Sequence, residues 1–505
     1  MKRINFLENR LLIIAVLGAA AAIAIGAYLL GAYWVLRIGF PLDDAWIHQT
    51  YARSLGTNGS WEFLPGQPSA GSTAPAWTLL LSIGYWLRLN FYAWTFMLGW
   101  LLLWATGVAA AAGFKLLEPK YAIFAIFAGL VLVFEWHLTW AAASGMETLL
   151  AGLLALVILL GAIVLSNQRE TRSRSIGWKW FALGALIGLG VWVRPDGITL
   201  LAVAGLAVLL GNTDNSTRLK NGCWLLAGVL LLALPYLLFN LYLAGEVWPN
   251  TFYAKQSEYA ILREAPLWQR YLNVIRQPLT GVGIVLLPGF LWYGYRKTVE
   301  KSWVELLAFI WILGYVLVYA LRLPVTYQHG RYIMPVIPAF CLLGMAGLFE
   351  LLELFTTRNL GQIIRPAWLI SALVILAAFW VLGLRGYAMD VAVIESEMVT
   401  TAHWVAANTE PGSLVGAHDI GALGYYGERD LVDLAGLVSP EVIPFIRDEA
   451  RLGNYLDDQS ADYLVTFPGW YPELVARSIL VFQTDQVFSR EMGGENMAVY
   501  GWDGH

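Results

Sequence analysis

Two adjacent carboxylates, Asp43 and Asp44, directly follow the first long apolar run of this 505-residue chain. They lie in a polar segment, residues 39–73, with His48 four positions after Asp44. A helix over Asp44–Leu55 would place Asp44 and His48 on one face. A carboxylate held there could take a proton from a hydroxyl group, while the second one orients a substrate or holds a metal. The alternative is that Asp43 caps the helix and Asp44 is only solvated.

Further polar residues occur at the ends of later apolar runs. Glu147 begins one run, where an acid either favours the helix dipole or belongs to a site. Arg194 and Asp196 share a tight turn, in which they pair with each other or leave the arginine to bind a phosphate. Three cations and several carboxylates would together suit an anionic lipid headgroup. The candidate substrate-binding residues are His48, Arg53, Glu147, Arg194, Lys255, His329, Arg331 and Tyr332.

The composition shows what must position these residues. The chain is 58% hydrophobic and 13% charged, with a mean hydropathy of +0.60, whereas a soluble domain carries about 25% charged residues. We therefore predict a polytopic α-helical membrane protein, in contact with membrane lipids and without a nucleic-acid partner. Carboxylates at a membrane edge are costly to desolvate, so the pair Asp43 and Asp44 favours a functional site. The two cysteines, Cys223 and Cys341, form no disulfide framework.

Twelve apolar runs fit about eleven transmembrane helices. Basic loops belong on the cytoplasmic side, and the basic loops share one side only if residues 74–87 form a juxtamembrane helix that does not cross. This arrangement puts the N-terminus inside, with Leu11–Leu36 as an uncleaved anchor behind Lys2, Arg3 and Arg10. It places the polar segment and the C-terminal tail outside the cytoplasmic membrane.

The tail differs in charge from the rest of the chain. From Asp390 onward there are 19 acidic and 5 basic residues, against 17 and 27 before it. We predict a transmembrane module over residues 1–388 and a soluble extracytoplasmic α/β domain over residues 389–505. Helical periodicity covers 391–407, and three β-type runs follow at 414–417, 431–434 and 463–467. Residues 421–424, Gly-Ala-Leu-Gly, are read as lacking the strand–helix context of a phosphate-binding loop.

The order of the motifs resembles that of GT-C glycosyltransferases, in the branch related to the mycobacterial terminal arabinofuranosyltransferase. The resemblance covers nearly the whole chain. It rests on Asp43-Asp44-Ala45-Trp46, Tyr51-Ala52-Arg53-Ser54-Leu55, Pro65-Gly66, Ser72-Thr73-Ala74-Pro75-Ala76-Trp77, Ser144-Gly145-Met146-Glu147-Thr148, Arg194-Pro195-Asp196-Gly197, Pro249-Asn250-Thr251-Phe252-Tyr253-Ala254-Lys255, Arg331-Tyr332, Asp419-Ile420-Gly421-Ala422-Leu423-Gly424-Tyr425 and Val432-Asp433-Leu434-Ala435-Gly436-Leu437.

The resemblance implies inverting transfer of a sugar from a polyprenyl-phosphate donor to an acceptor hydroxyl of a cell-envelope glycan, a glycolipid or a protein. It implies Asp43 as the base, with Asp44 as the second choice or as a ligand of the donor or of a divalent cation. Arg331, Lys255 or Arg194 would stabilise the departing phosphate. No cofactor beyond that cation is expected.

One departure from the family pattern leaves the sugar and the acceptor open. Pro68-Ser69-Ala70-Gly71 stands where the family often has Glu, Gly or Asn. The alternative function is a transporter or flippase of lipid-linked sugars. Such a protein needs charges in the middle of the apolar runs, and here they cluster at the ends of the runs.

Overall fold

The computed structural model describes residues 10–168, 175–211, 213–355 and 361–502. The predicted cytoplasmic charges Lys2, Arg3, Arg169, Arg172 and Arg174 lie outside these ranges. The helices are α1 Arg10–Val35, α2 Asp44–Asn58, α3 Pro75–Trp86, α4 Phe91–Leu117, α5 Ala125–Val133, α6 Trp136–Ala143, α7 Thr148–Ser166, α8 Ser175–Val193, α9 Thr199–Leu210, α10 Asn215–Ala244, α11 Asn250–Glu258, α12 Leu267–Ile275, α13 Val282–Val299, α14 Trp303–Arg322, α15 Ile337–Glu353, α16 Gly361–Ile394, α17 Thr400–Asn408, α18 Gly421–Tyr426, α19 Glu449–Gln459, α20 Pro472–Ala476 and α21 Phe488–Glu491. The strands are β1 Glu62–Leu64, β2 Gln67–Pro68, β3 Leu414–Ala417, β4 Asp430–Asp433, β5 Tyr463–Thr466, β6 Ile479–Gln483 and β7 Ala498–Gly501.

Long apolar helices make up most of the molecule. Among the described residues, seven are long and apolar enough to cross a membrane, or nine if two bent pairs each count as one span. Two shorter apolar helices cover Gly177–Val193 and Pro195–Leu210. The predicted class, a polytopic α-helical membrane protein with a small C-terminal sheet domain, is confirmed, while the count of eleven crossings stays a prediction.

One predicted run is broken. The bent pair Pro119–Val133 and Trp136–Ala143 turns by 56° at Glu135. The Glu135 carboxylate accepts a hydrogen bond from the Leu138 backbone N–H at 3.0 Å and contacts His137 Nδ1 at 2.7 Å. Both side chains are buried. Glu135 lies at the end of the predicted apolar run over residues 121–136, which agrees with the expectation that charges cluster at the ends of runs, and it caps the helix that follows.

The first polar segment folds into a helix, a hairpin and a second helix. The predicted helix over Asp44–Leu55 is confirmed and extends to Asn58, where Gly59 ends it with φ +74° and an N–H bond to Leu55 O. β1 and β2 then pair antiparallel. α3 has 12 residues, about 18 Å at 1.5 Å per residue, which is well short of the ~30 Å hydrocarbon core. This length fits the predicted juxtamembrane helix.

The tail is joined to the helical body without a linker. α16 continues through one π-helical turn, Glu395–Val399, into α17, so the predicted boundary after residue 388 falls inside a helix. The tail forms a five-stranded sheet in the order β4-β3-β5-β7-β6. β4, β3 and β5 are parallel, whereas β7 pairs antiparallel with both β5 and β6.

The predicted helix over 391–407 is confirmed and corresponds to the end of α16, the π-helical turn and α17, while the three predicted strands are confirmed as β3, β4 and β5. β6 and β7 were not predicted. The expectation for residues 421–424 was wrong: they follow β3 and open α18, which is a strand–loop–helix arrangement. The backbone N–H groups of Gly421 and Ala422 donate hydrogen bonds to the Asp43 carboxylate of the body.

Candidate active site

Asp44, the first residue of α2, lies between two cations. Its Oδ1 is 3.2 Å from Lys255 Nζ, and its Oδ2 is 3.1 Å from Arg331 Nη1. Burial alone would raise the pKa of Asp44, but Arg331 and Lys255 together hold it well below its usual range. Asp44 is therefore a fixed negative charge that positions two cations.

The Tyr332 side chain completes this cluster. Its hydroxyl oxygen lies 3.0 Å from Lys255 Nζ and 3.2 Å from Arg331 Nη2, both of which can donate to it. The same ring has three cations within 6 Å of its centroid: Arg331 at 5.0 Å, Lys255 at 5.5 Å and Arg194 at 5.6 Å. The face of an aromatic ring attracts cations, so Tyr332 helps to keep three positive charges close together.

Asp43 contacts the tail. Its two carboxylate oxygens accept hydrogen bonds from the backbone N–H groups of Gly421, at 2.7 Å, and Ala422, at 2.8 Å. Asp43 occupies the N-cap position of α2, but its side chain makes no capping bond to α2. The interpretation that Asp43 caps α2 was therefore wrong, because its carboxylate caps α18 of the tail. Burial, followed by the nearby charge of Asp419, raises the pKa of Asp43 to about 8.

A second group of charged side chains lies behind the cluster of Asp44, Lys255 and Arg331, within the helical body. Glu147 Oε2 is 3.5 Å from His48 Nε2, and Glu147 Oε1 is 3.7 Å from Arg194 Nη1. Glu147 makes no capping bond to α7, which favours the site interpretation for this residue. Arg194 also pairs with Asp196 at 3.1 Å, as predicted, and donates to Tyr319 Oη at 2.7 Å.

Two cavities meet at Asp44, Lys255 and Arg331. The first, of about 540 Å³, lies between the body and the tail, and we call it the tail-side cavity. Its lining includes Asp43, Asp44, Ile47, Lys255, Glu258, Tyr259, Tyr327, Gln328, Arg331, His418, Asp419, Ile420, Ala435, Leu437, Ile446, Arg447, Gly469, Trp470 and Tyr471.

The second, of about 290 Å³, lies among the helices of the body, and we call it the bundle-side cavity. Its lining includes Asp44, Thr73, Met146, Glu147, Arg194, Pro195, Asp196, Ile198, Thr199, Trp248, Thr251, Phe252, Lys255, Gln256, Val318, Tyr319, Arg322, Leu323, Arg331 and Tyr332. Asp43 faces only the first cavity, whereas Arg194 faces only the second.

Three predicted site residues lie away from both cavity linings. His329 Nε2 is 2.7 Å from Asp390 Oδ2. Arg53 donates to Tyr425 O at 2.8 Å and lies over the Tyr425 ring, so it connects α2 to the tail. His48 contacts Ser72 and Thr78 behind Glu147. In this structure these three residues contact other protein groups, and their role in substrate binding stays a prediction.

The sequence analysis missed the residues that the tail contributes. His418 and Asp419 directly follow β3 and reach the tail-side cavity, as do Trp470 and Tyr471 after β5. Ligands of parallel sheets bind beyond the carboxyl ends of the strands, and this rule was the available signal. His418 Nε2 lies 3.4 Å from Glu258 Oε1 and thereby joins the tail to α11.

The surroundings of Asp44 do not fit a divalent cation. Both of its oxygens are engaged by Lys255 and Arg331, whose positive charges would repel a metal ion. In the described parts of the chain, no group of three His, Cys, Asp or Glu residues is placed to hold a metal. The contacts of Asp44 therefore give no support to its expected role as a ligand of a divalent cation.

Comparison with known proteins identifies the fold. A family model described as a domain of unknown function, DUF8728, matches residues 389–500. No curated protein is significantly similar in sequence. Solved structures of GT-C glycosyltransferases are similar over most of the chain, so the chain has a GT-C fold.

Three of these solved structures show the extent of the similarity. ArnT from Cupriavidus metallidurans, bound to undecaprenyl phosphate, has a TM-score of 0.54 at 16% identity, over 95% of this chain and 97% of that one. The oligosaccharyltransferase of Archaeoglobus fulgidus has a TM-score of 0.59 at 12% identity, over 90% and 68%. Arabinofuranosyltransferase AftD from Mycobacteria has a TM-score of 0.50 at 17% identity, over 95% and 41%.

Proposed function

We propose that this protein is an inverting glycosyltransferase that moves a sugar from a polyprenyl-phosphate donor to an acceptor hydroxyl on the outer face of the cytoplasmic membrane. The observation that carries the proposal is the meeting of two cavities at Asp44, Lys255 and Arg331. The bundle-side cavity is lined by cations among apolar helices, and the tail-side cavity is lined by the Asp43 carboxylate, whose pKa is raised. A transfer reaction needs both an anion site for the donor and a base for the acceptor.

The bundle-side cavity suits the lipid phosphate. Arg194, Lys255 and Arg331 line it, next to the apolar side chains of Trp248, Phe252, Val318 and Leu323. Within the described part of the chain, Arg331 Nε and Thr251 Oγ1 are buried without a hydrogen-bond partner. Buried donors are ordinarily satisfied, and phosphate oxygens would satisfy these two. ArnT has been solved with undecaprenyl phosphate, and the archaeal enzyme AglB with a dolichol-phosphate.

Asp43 is the proposed base. Its carboxylate would take the proton of the acceptor hydroxyl as that oxygen attacks the anomeric carbon on the face opposite the phosphate. The bond from this carbon to the phosphate oxygen breaks, its electron pair stays on the phosphate, and the sugar configuration inverts. Lys255 and Arg331 would stabilise the added negative charge. General-base catalysis of this kind contributes about a hundred- to ten-thousand-fold in rate.

Asp44 is the weaker candidate for the base. Its two ion pairs keep its pKa well below the usual range, so it has little affinity for a proton. Its proposed task is to hold Lys255 and Arg331 where the phosphate departs. Removing it would leave two cations facing each other without a counter-charge.

The test uses the purified full-length protein with polyprenyl-phosphate-linked sugars, each supplied singly with a membrane extract as the source of acceptors. Mass spectrometry then measures the release of free polyprenyl phosphate. We expect turnover with one donor in the wild type and a loss of about a hundredfold or more in Asp43→Asn, with an unchanged melting temperature. Asp458→Asn, at an exposed tail position, serves as the matched control. Near-normal turnover by Asp43→Asn would overturn the role given to Asp43.

A further inference from the structure

One wall of the tail-side cavity contains side chains that take no part in the proposed transfer step. The tail supplies it with Trp470 and Tyr471 after β5, and with His418 and Asp419 after β3. Trp470 is 49% exposed although it lies in a cavity lining. A large aromatic side chain left half open beside polar groups is a common feature of ligand sites.

Neighbouring rings fix the position of Trp470. The His418 ring meets it edge-on at 5.2 Å between centroids, and Phe467 packs against it at 5.0 Å. His418 Nδ1 is in turn 2.7 Å from the Tyr471 hydroxyl. The indole is therefore a supported platform, and its fixed orientation costs a ligand little ordering entropy.

Polar groups surround the platform. Glu258 and Asp419 supply carboxylates, and the Arg447 Nε donates to the Glu258 backbone carbonyl at 2.9 Å. Sugar hydroxyls both donate and accept hydrogen bonds, so they match a wall that mixes carboxylates, phenols and a guanidinium. The C–H face of a sugar ring matches the negative face of an indole.

We infer that this wall is an acceptor subsite that binds a neutral saccharide, with its ring stacked on Trp470 and its hydroxyls bonded to Asp419 and Glu258. The inference rests on the function proposed above, and it narrows the acceptor from any hydroxyl compound to a sugar. An acidic sugar is disfavoured because four carboxylates line this cavity. Two of its cations, Lys255 and Arg331, are already paired with Asp44, which leaves Arg447 and His418 as the other basic side chains of the lining.

The architecture of the wall favours a saccharide over a peptide. An extended peptide gains its affinity by pairing its backbone with a strand edge. The lining residues instead lie on helices, turns and loop ends, and the tail strands stop before they reach the cavity. The saccharide could be free or carried on a lipid, because the recognised chemistry is the same.

The test measures saturation-transfer NMR on the full-length protein in nanodiscs. The probes are methyl glycosides of neutral pentoses and hexoses, the same sugars attached to a lipid, a methyl glucuronide and a serine-containing tripeptide. We expect transfer to the ring protons of a neutral glycoside in the wild type. Trp470→Ala should weaken that binding roughly tenfold, because it removes the stacking surface. Trp268→Ala, at an exposed position on α12, should not change it.

Several outcomes would overturn the inference. The first is the absence of a signal from every neutral glycoside, whether free or lipid-linked. The second is an equal signal from the wild type and Trp470→Ala. The third is a stronger signal from the glucuronide or the tripeptide than from the neutral glycosides. Binding of undecaprenyl phosphate to the same samples is measured in parallel. If this lipid binds and no sugar does, the subsite is wrong and the proposed function stands; if neither binds, the proposed function fails as well.

Discussion

At the scale of single residues, Asp43 and Asp44 are neighbours with opposite acid–base properties. Asp44 faces two cations of the body, which stabilise its charge. Asp43 is buried against the tail, where two backbone N–H groups only partly offset the cost of its charge. The same pair of residues thus supplies a proton acceptor on one side and a permanent counter-charge on the other. Different environments commonly give paired carboxylates different roles.

The raised pKa of Asp43 predicts how the reaction depends on pH. Below a pKa of about 8 this carboxyl is mostly protonated and cannot accept another proton. The initial rate should therefore rise by about tenfold per pH unit between roughly pH 6 and 7 and level off above about pH 8. Initial rates in a series of buffers at constant ionic strength check this. A rate that falls across the same range would contradict Asp43 as the base.

Lys255 allows a second prediction at this scale. Its ammonium group reaches both Asp44 and the bundle-side cavity, and a charge-assisted bond contributes about 1.5–3 kcal/mol. Lys255→Met should therefore weaken the binding of undecaprenyl phosphate by roughly ten- to a hundredfold. Titration of nanodisc samples measures this affinity, with Lys220→Met at an exposed position on α10 as the control. Equal affinities in the two variants would remove Lys255 from the phosphate site.

At the scale of elements, the contact between α2 and α18 sets the geometry of the site. A Cβ atom on Gly421 would lie 2.1 Å from the Asp43 carbonyl oxygen and 2.7 Å from its Oδ2. Only glycine allows this approach, so the tail needs a residue without a side chain next to the proposed base. The two N–H groups at the start of α18 then orient the carboxylate.

Gly421→Ala should therefore disturb catalysis more than folding. The added methyl group pushes α18 away from Asp43, and a displacement of about 1 Å at a reacting group can lower a rate about a hundredfold. Gly501→Ala in β7 is the control, because its nearest heavy atom beyond the local chain would lie 3.6 Å from the new Cβ. Turnover and melting temperature measured on both variants separate the two effects. Full turnover in Gly421→Ala would show that α18 does not position Asp43.

The sequence predicted the site residues of the helical body but not those of the tail. Assigning the basic loops to one side of the membrane placed the motifs of Asp43, Glu147, Arg194, Lys255 and Arg331 together on the other side. Nothing in local periodicity reveals that residues 378 positions apart, such as Asp43 and Gly421, are hydrogen-bonded. The same limit explains why the sequence left the direction of the Asp43 side chain open.

At the scale of the whole molecule, the last long apolar helix continues into the tail. α16 and α17 are continuous through a π-helical turn. Within that turn Glu397 is fully buried and accepts hydrogen bonds from the Met497 N–H at 2.8 Å and from Asn496 Nδ2 at 3.1 Å. It also bonds to Thr484. The Glu397 side chain thus joins this long helix to the segments that follow β6 and precede β7.

Glu397→Ala should loosen the tail as a unit. The substitution leaves buried donors without an acceptor, at about 1–3 kcal/mol for each. We expect a melting temperature lower by several degrees and faster amide exchange in β7, measured by hydrogen-exchange mass spectrometry. Glu410→Ala, at an exposed position after α17, is the control. If β7 keeps its protection in Glu397→Ala, this carboxylate does not hold the tail in place.

The two cavities that meet at Asp44 also have a kinetic consequence. Because donor and acceptor would enter by separate routes, neither has to leave before the other binds, and no covalent sugar–enzyme species is required. Initial rates measured against both substrates should give intersecting double-reciprocal lines, the pattern of a ternary complex. Parallel lines would indicate a ping-pong scheme. Asp44, Lys255 and Arg331, which line both cavities, would then have to contact the two substrates one after the other.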